Sequence, residues 1–171
     1  MAGPHRSMAR AQELYNSIMR QARAPVFHQS FGVPDTIDGR FDLLALHAFP
    51  ILAVLESGDT EARKLGVRLA DVIFAGFDQA LRELGVGDFG IARRIKAMAN
   101  AFYGRLTAYG SAVSQAALTE AVIRNLYRGE SARAREAEAI ASYIISAHRR
   151  LRDRPAALLE GNADFGSLPQ L

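Results

Sequence analysis

Residues 41–55, F-D-L-L-A-L-H-A-F-P-I-L-A-V-L, are apolar on nearly every face, and this run restricts the fold more than any other stretch. A helix with no polar side must be enclosed by other elements, so the run predicts a central helix with neighbours on several sides. Pro50 sits inside it. A proline there removes one backbone hydrogen bond and crowds the preceding turn, which predicts a kink near residues 46–49 or a second helix starting at Pro50.

The helices that could enclose this run are legible from their spacing. Leu14, Ile18 and Ala22 recur every four residues, with Tyr15 and Met19 beside them, and give a first amphipathic helix over 9–22. Pro25 ends it. Residues 25–40 have two prolines, two glycines and no helical period, yet Val26, Phe27, Phe31 and Val33 mark a loop that packs down on the domain. A cap at Asp59 or Thr60 opens a helix over 61–84 whose stripe is Leu65, Leu69, Val72, Ile73, Phe77 and Leu81. Gly66 and Gly76 lie inside it and point to close approach by a neighbouring helix. Residues 107–114 read as a bend at Gly110. A further helix over 115–127 turns Leu118, Val122, Ile123 and Leu126 inward and ends before Gly129, and a last one over 131–151 carries Ile140, Tyr143, Ile144, Ala147 and Leu151. The fold class is therefore all-α, a single-domain bundle of about six to seven helices over residues 1–171, with 1–8 and 162–171 as flexible ends.

The stretch 84–105, L-G-V-G-D-F-G-I-A-R-R-I-K-A-M-A-N-A-F-Y-G-R, concentrates the unusual residues, and the remaining helices are expected to pack around it. Asp88 reads as an N-cap, and Ile91, Ile95, Met98 and Phe102 form one buried stripe. Arg93, Arg94 and Lys96 lie largely off that stripe, where their charged ends stay hydrated. Cations presented beside a packed face suit binding better than catalysis. Gly85, Gly87 and Gly90 match G-x-G-x-x-G, but that fingerprint carries meaning only after a strand and inside a βαβ unit, and Asp88 would stand where pyrophosphate belongs. The glycines are better read as a sharp turn between two helices.

Composition removes several chemistries. There is no cysteine, so a disulfide framework, a thiol nucleophile and a cysteine-ligated zinc are all excluded. The four histidines show no ligand spacing, and no serine lies in a nucleophile elbow, so neither a metal, a cofactor nor a catalytic residue is assigned. Asp35, Asp38 and Asp42 cluster near Arg40, a pattern that local capping explains better than calcium binding. His47, in the most apolar helix, reads either as a core histidine satisfied by a hydrogen bond or as a contact residue beside the loop 27–40.

Charge is unevenly placed. Residues 1–34 have four arginines against Glu13, residues 35–91 have five cations against ten acids, and residues 92–171 have twelve cations against seven acids. An acidic middle and a basic second half can steer an anionic or membrane-apposed partner. The arginines before residue 24 are a bias shared with organellar transit peptides, but serine richness is missing and the period of 14, 18 and 22 belongs to a folded helix. The longest apolar runs fall short of the roughly 20 residues of a membrane span, so the sequence reads as that of a soluble protein.

Several longer motifs together resemble the ubiquinol-cytochrome c chaperone family, mitochondrial and α-proteobacterial proteins that assist cytochrome b assembly into respiratory complex III. They are V-P-D-T at 33–36, F-D-L-L-A-L-H at 41–47, L-R-E-L-G-V-G-D at 81–88, I-K-A-M at 95–98, A-F-Y-G-R-L-T-A-Y at 101–109 and R-N-L-Y at 124–127. Mitochondrial members tend to carry an acidic turn after the A-Y pair, where this chain has Gly110-Ser111. The resemblance implies an all-helical, non-enzymatic assembly factor that binds newly made cytochrome b, with the ribosome, a small partner protein and peripheral membrane contact as further partners and no specific DNA. It implies a bacterial member in the cytoplasm, peripheral on the inner face of the inner membrane. The alternative function is a basic helical adaptor for nucleic acid or the ribosome, which lacks helix-turn-helix spacing and interleaved aromatics in its support. Charge and helix phase nominate His47, Asp88, Arg93, Arg94, Lys96, Tyr103, Arg105 and Arg124 as partner contacts.

Overall fold

The computed structural model describes residues 4–171, in which no strand occurs. The element order is α1 (Pro4–Ala22), α2 (Val26–Gln29), α3 (Ile37–Ser57), α4 (Thr60–Glu83), α5 (Asp88–Gly110), α6 (Gln115–Leu126), a single 3-10 turn (Ser131–Arg133), α7 (Ala134–Asp153) and α8 (Pro155–Leu159). Six of these are long, matching the expected all-α bundle. The other two are short pieces that the sequence had read as loop and tail.

The chain is organised around α3. Every residue from Asp42 to Ile51 is buried, because α1, α4, α5 and α7 all lie against this helix. Thr36 caps it, its Oγ1 accepting from the Gly39 amide at 3.1 Å. Gly39 is required there: a Cβ would stand 2.0 Å from the Pro34 carbonyl oxygen. The helix continues through Pro50 without a break, so no second helix starts at that residue. Packing on several sides holds the turn in place despite the missing hydrogen bond. The prediction that the chain packs around residues 84–105 is therefore corrected, since burial on all faces, not an accumulation of unusual residues, selects the centre of a bundle.

The inward stripes of α1, α4, α6 and α7 are buried at the positions their periods predict. Gly76 is where α1 crosses α4 most closely, a Cβ there meeting the Tyr15 hydroxyl at 2.5 Å, whereas Gly66 has only ordinary contact with Leu55. The predicted loop packs down through Phe27, Phe31 and Val33 and contains the turn of α2, but it ends at Thr36, because residues 37–40 form the first turn of α3.

Several boundaries differ from the sequence reading. Residues 4–8, predicted as a flexible end, extend α1, while 1–3 lie outside the described residues. The bend predicted over 107–114 is confined to 111–114, because α5 runs on to Gly110. After α6 the first left-handed residue is Arg128 (φ 55), followed by Gly129 (φ 86). The segment past Gly161, predicted to fray, places Phe165 in the core against His47 and pairs Asp164 with Arg150. One buried aromatic ring anchors a tail that is otherwise mostly small or polar, a signal that composition alone does not reveal.

Candidate binding surface

The turn between α4 and α5 forms from glycine. Gly85 adopts φ 77, the Val86 amide donates to the Leu81 carbonyl at 3.1 Å and the Gly85 amide to the Arg82 carbonyl at 2.9 Å. This six-to-one and five-to-two pair is a Schellman closure, which ends α4 and reverses the chain within four residues. Gly87, not Asp88, caps α5. Asp88 is the first helical residue, and its carboxylate accepts from Arg82 Nη1 at 2.9 Å across the turn while remaining exposed. An acid in the first turn still complements the helix dipole, and pairing with Arg82 draws it away from a capping geometry.

From there α5 is a poorly enclosed helix. Of its 23 residues only Ile91, Phe102 and Tyr109 are buried. Ile95 and Met98, predicted to complete a buried stripe, are half-exposed at the edge of the core. Further along, the exposed Tyr103 ring lies 5.5 Å from Phe102 and 5.8 Å from Phe74, with Phe74 itself half-buried and Val67 exposed on α4. The α4–α5 seam is thus an apolar strip with a closed floor and an open edge. Arg93, Arg94 and Lys96 are exposed on α5, with no acid within 4.0 Å among the described residues. Arg124 is exposed on α6 and likewise unpaired among those residues.

Two of the nominated contacts are interior groups. His47 is fully buried, its Nδ1–H donating to the Leu43 carbonyl at 2.7 Å and its Nε2 accepting from the Tyr143 hydroxyl at 3.1 Å, with Phe27 and Phe165 packed on the ring. Burial pushes its imidazole down to about 4, so the neutral ring is a core fitting joining α3, α7 and the tail. No partner can reach it in this conformation. Arg105 is a half-buried structural cation: Nη2 lies 2.7 Å from Asp42 Oδ1, and the guanidinium sits over the Phe41 ring at 5.1 Å. It turns inward because its helical phase follows the Phe102–Tyr109 side.

Asp42 was read with Asp35 and Asp38 as an acidic cluster explained by local capping and is instead sealed inside, only 1% exposed. Arg128 Nη2 reaches its Oδ2 at 2.9 Å from the left-handed turn after α6. Neither arginine directs an N–H along a hydrogen-bonding line to the carboxylate, and the Asp42 oxygens, Arg105 Nε and the Tyr109 hydroxyl all lack such a bond. Burial outweighs the attraction of the two arginines and pushes the carboxyl up to about 6. The sequence offered one clue, an acid in an otherwise apolar helix, which by its burial cost demands a cationic partner. Asp35, by contrast, does form a surface pair with Arg40 at 2.8 Å. No three His, Asp or Glu side chains converge as a metal site among the described residues.

The surface therefore retains Asp88, Arg93, Arg94, Lys96, Tyr103 and Arg124 and loses His47 and Arg105. What sequence reasoning missed is Phe89, fully exposed at the start of α5, and Leu84, 58% exposed at the end of α4. Phe89 stands four residues before Arg93, off the apolar stripe, a phase that does signal exposure.

Comparison with known proteins agrees with this architecture. A sequence model described as ubiquinol-cytochrome C chaperone matches residues 29–165. The crystal structure of the Cbp3 homolog from Brucella abortus is similar at a TM-score of 0.85 and 32% identity, over 95% of this chain and 92% of that one. No curated protein sequence matches. With a family match spanning most of the helices and a like-folded relative along nearly the whole length, the chain belongs to the ubiquinol-cytochrome c chaperone family.

Proposed function

We propose that this protein is a non-enzymatic assembly factor for ubiquinol-cytochrome c reductase, respiratory complex III, that holds newly made cytochrome b along the open α4–α5 seam. Family membership supports the assembly role. The observation that carries the choice of surface is the incomplete burial of α5, where Ile95 and Met98 are only partly buried at the edge of the core and the exposed Tyr103 ring lies against Phe74 of α4. An apolar client segment would extend the core outward there and be held at its rim by Arg93, Arg94 and Lys96. Such a surface works by excluding water and matching shape, with no bond made or broken. Among the described residues no helix is long and apolar enough to cross a membrane, and we place the protein peripherally on the inner face of the inner membrane, where the client is inserted.

A photo-reactive residue at Ala97 or Asn100, both exposed on α5, is expected to capture cytochrome b from membranes, whereas the same probe at Glu138 on α7 is not. Deleting the gene is expected to lower complex III and spare the other respiratory complexes. Retrieval of other proteins from α5 but never cytochrome b would overturn the assignment of client.

A further inference from the structure

The α4–α5 tip carries a feature that client binding does not use. Phe89 projects completely into solvent, Leu84 is mostly exposed and Val86 half-exposed, all within one tight turn. A Cβ placed on Gly85 or Gly87 meets nothing within 4 Å, so the turn faces open space at both positions. An aromatic ring in that position has no structural reason to be apolar.

Its neighbours along the helix are cationic. Phe89, Arg93 and Lys96 stand at i, i+4 and i+7, which puts them on one face of α5, opposite Ile91, Met98 and Phe102. The cations lie about 6 and 10 Å up the axis from the ring, at 1.5 Å per residue. No acid occurs in residues 89–119. The acids at the turn sit on the α4 side or at the α5 start: Asp78 and Asp88 are both held by Arg82, and Glu83 accepts from Gln79.

We infer that the α4–α5 tip docks on an anionic lipid surface, with Phe89 and Leu84 entering the boundary between headgroups and acyl chains and Arg93 and Lys96 engaging lipid phosphates above them. The spacing fits the roughly 5–10 Å depth at which interfacial side chains lie beneath the headgroup layer. Aromatic rings favour that boundary, and each nearby cation adds attraction to an anionic leaflet. The inference rests on the peripheral placement proposed above and shares Arg93 and Lys96 with the rim of the client seam, but its apolar contacts, Phe89 and Leu84, lie outside that seam.

The chain contains no tryptophan, so Phe89→Trp makes a sole fluorescent reporter at the tip, and Val113→Trp makes a matched one at the far end of α5, where Val113 is also exposed. With vesicles of equal parts phosphatidylglycerol and phosphatidylcholine, the full chain carrying Phe89→Trp is expected to blue-shift and brighten, while the Val113→Trp chain stays unchanged. Vesicles of phosphatidylcholine alone should produce little response. In co-sedimentation of the otherwise unaltered chain, Arg93→Gln with Lys96→Gln should weaken partitioning to the anionic vesicles about thirty-fold, and Phe89→Ser about ten-fold. Equal shifts at both reporters, or a shift at Phe89→Trp with a single-stranded RNA oligonucleotide and none with anionic vesicles, would overturn the inference. Loss of vesicle binding with cytochrome b cross-links from Ala97 intact would sink this inference alone; the reverse pattern would sink the client assignment alone.

Discussion

Helices α3 and α5 are nearly equal in length, 21 and 23 residues, and meet side by side, yet thirteen residues of the first are buried and three of the second. In α3 each face has a neighbour, and even its polar groups are conscripted into the interior, His47 to Tyr143 and Asp42 to two arginines. In α5 one narrow line of contacts holds the helix down and the rest is left open. Stability is concentrated in the first helix, and the surface left available for other molecules is concentrated in the second.

The largest effect that would test this contrast is Leu46→Ala, which empties a fully buried site on α3 and should cost about 3 kcal/mol in chemical denaturation, against less than about 1 kcal/mol for Met98→Ala on the half-open side of α5. Equal costs would erase the distinction. Arg105 is the exception on α5 that sharpens it. Arg105→Ala leaves the sealed Asp42 carboxylate with one arginine and is expected to destabilise by about 3 kcal/mol, measured by urea titration, whereas a client contact would lose binding with stability unchanged.

A third effect is a dependence on pH lodged in α3. His47 titrates near 4 in the folded chain, below the ordinary value of about 6.5, so the unfolded chain takes up the proton first. That contribution, about 3 kcal/mol in full, is present above pH 6.5 and is lost as pH falls toward 4. Asp42 acts with the opposite sign. Its carboxyl, raised to about 6, is protonated first in the folded chain, so stability from this group is greatest below the ordinary carboxylate value and declines as pH rises through 6. The two nearly offset each other between pH 4 and 6, giving the wild-type chain a shallow profile there. His47→Gln, despite a lower stability at every pH, should uncover the Asp42 limb, with denaturation midpoints rising as pH falls from 6 to 4. A profile as shallow as wild type would remove the account of both groups.

The smallest effect belongs to the exposed cations. Arg93→Gln with Lys96→Gln should leave thermal stability within about 0.5 kcal/mol of wild type, since both residues are exposed and neither has an acid partner among the described residues.

The fold class and most inward faces were legible because helical period and proline punctuation act locally. Leu65, Leu69 and Phe77 on α4, or Ile140 and Ile144 on α7, could each be assigned from neighbours four residues away. What was not legible depended on the third dimension. The period of Ile95 and Met98 is the same whether or not a partner covers them, so sequence could not reveal an open seam. The helical phase of Arg105, on the Phe102–Tyr109 side, already set it apart from Arg93, but that it is tied to a sealed carboxylate depends on Asp42 of another helix. Phe165 was hidden for a similar reason, as its burial depends on a cluster built from α2, α3 and α7.

The central claim is that α3 is scaffold and α5 is the face that takes up the client. Amide hydrogen exchange of the chain alone and in complex with cytochrome b measures this directly. Amides of residues 92–104 are expected to exchange faster than those of residues 43–51 in the free chain and to gain protection in the complex, with residues 43–51 unchanged. Protection appearing instead along α7 and the tail, with 92–104 exchanging as before, would contradict the account.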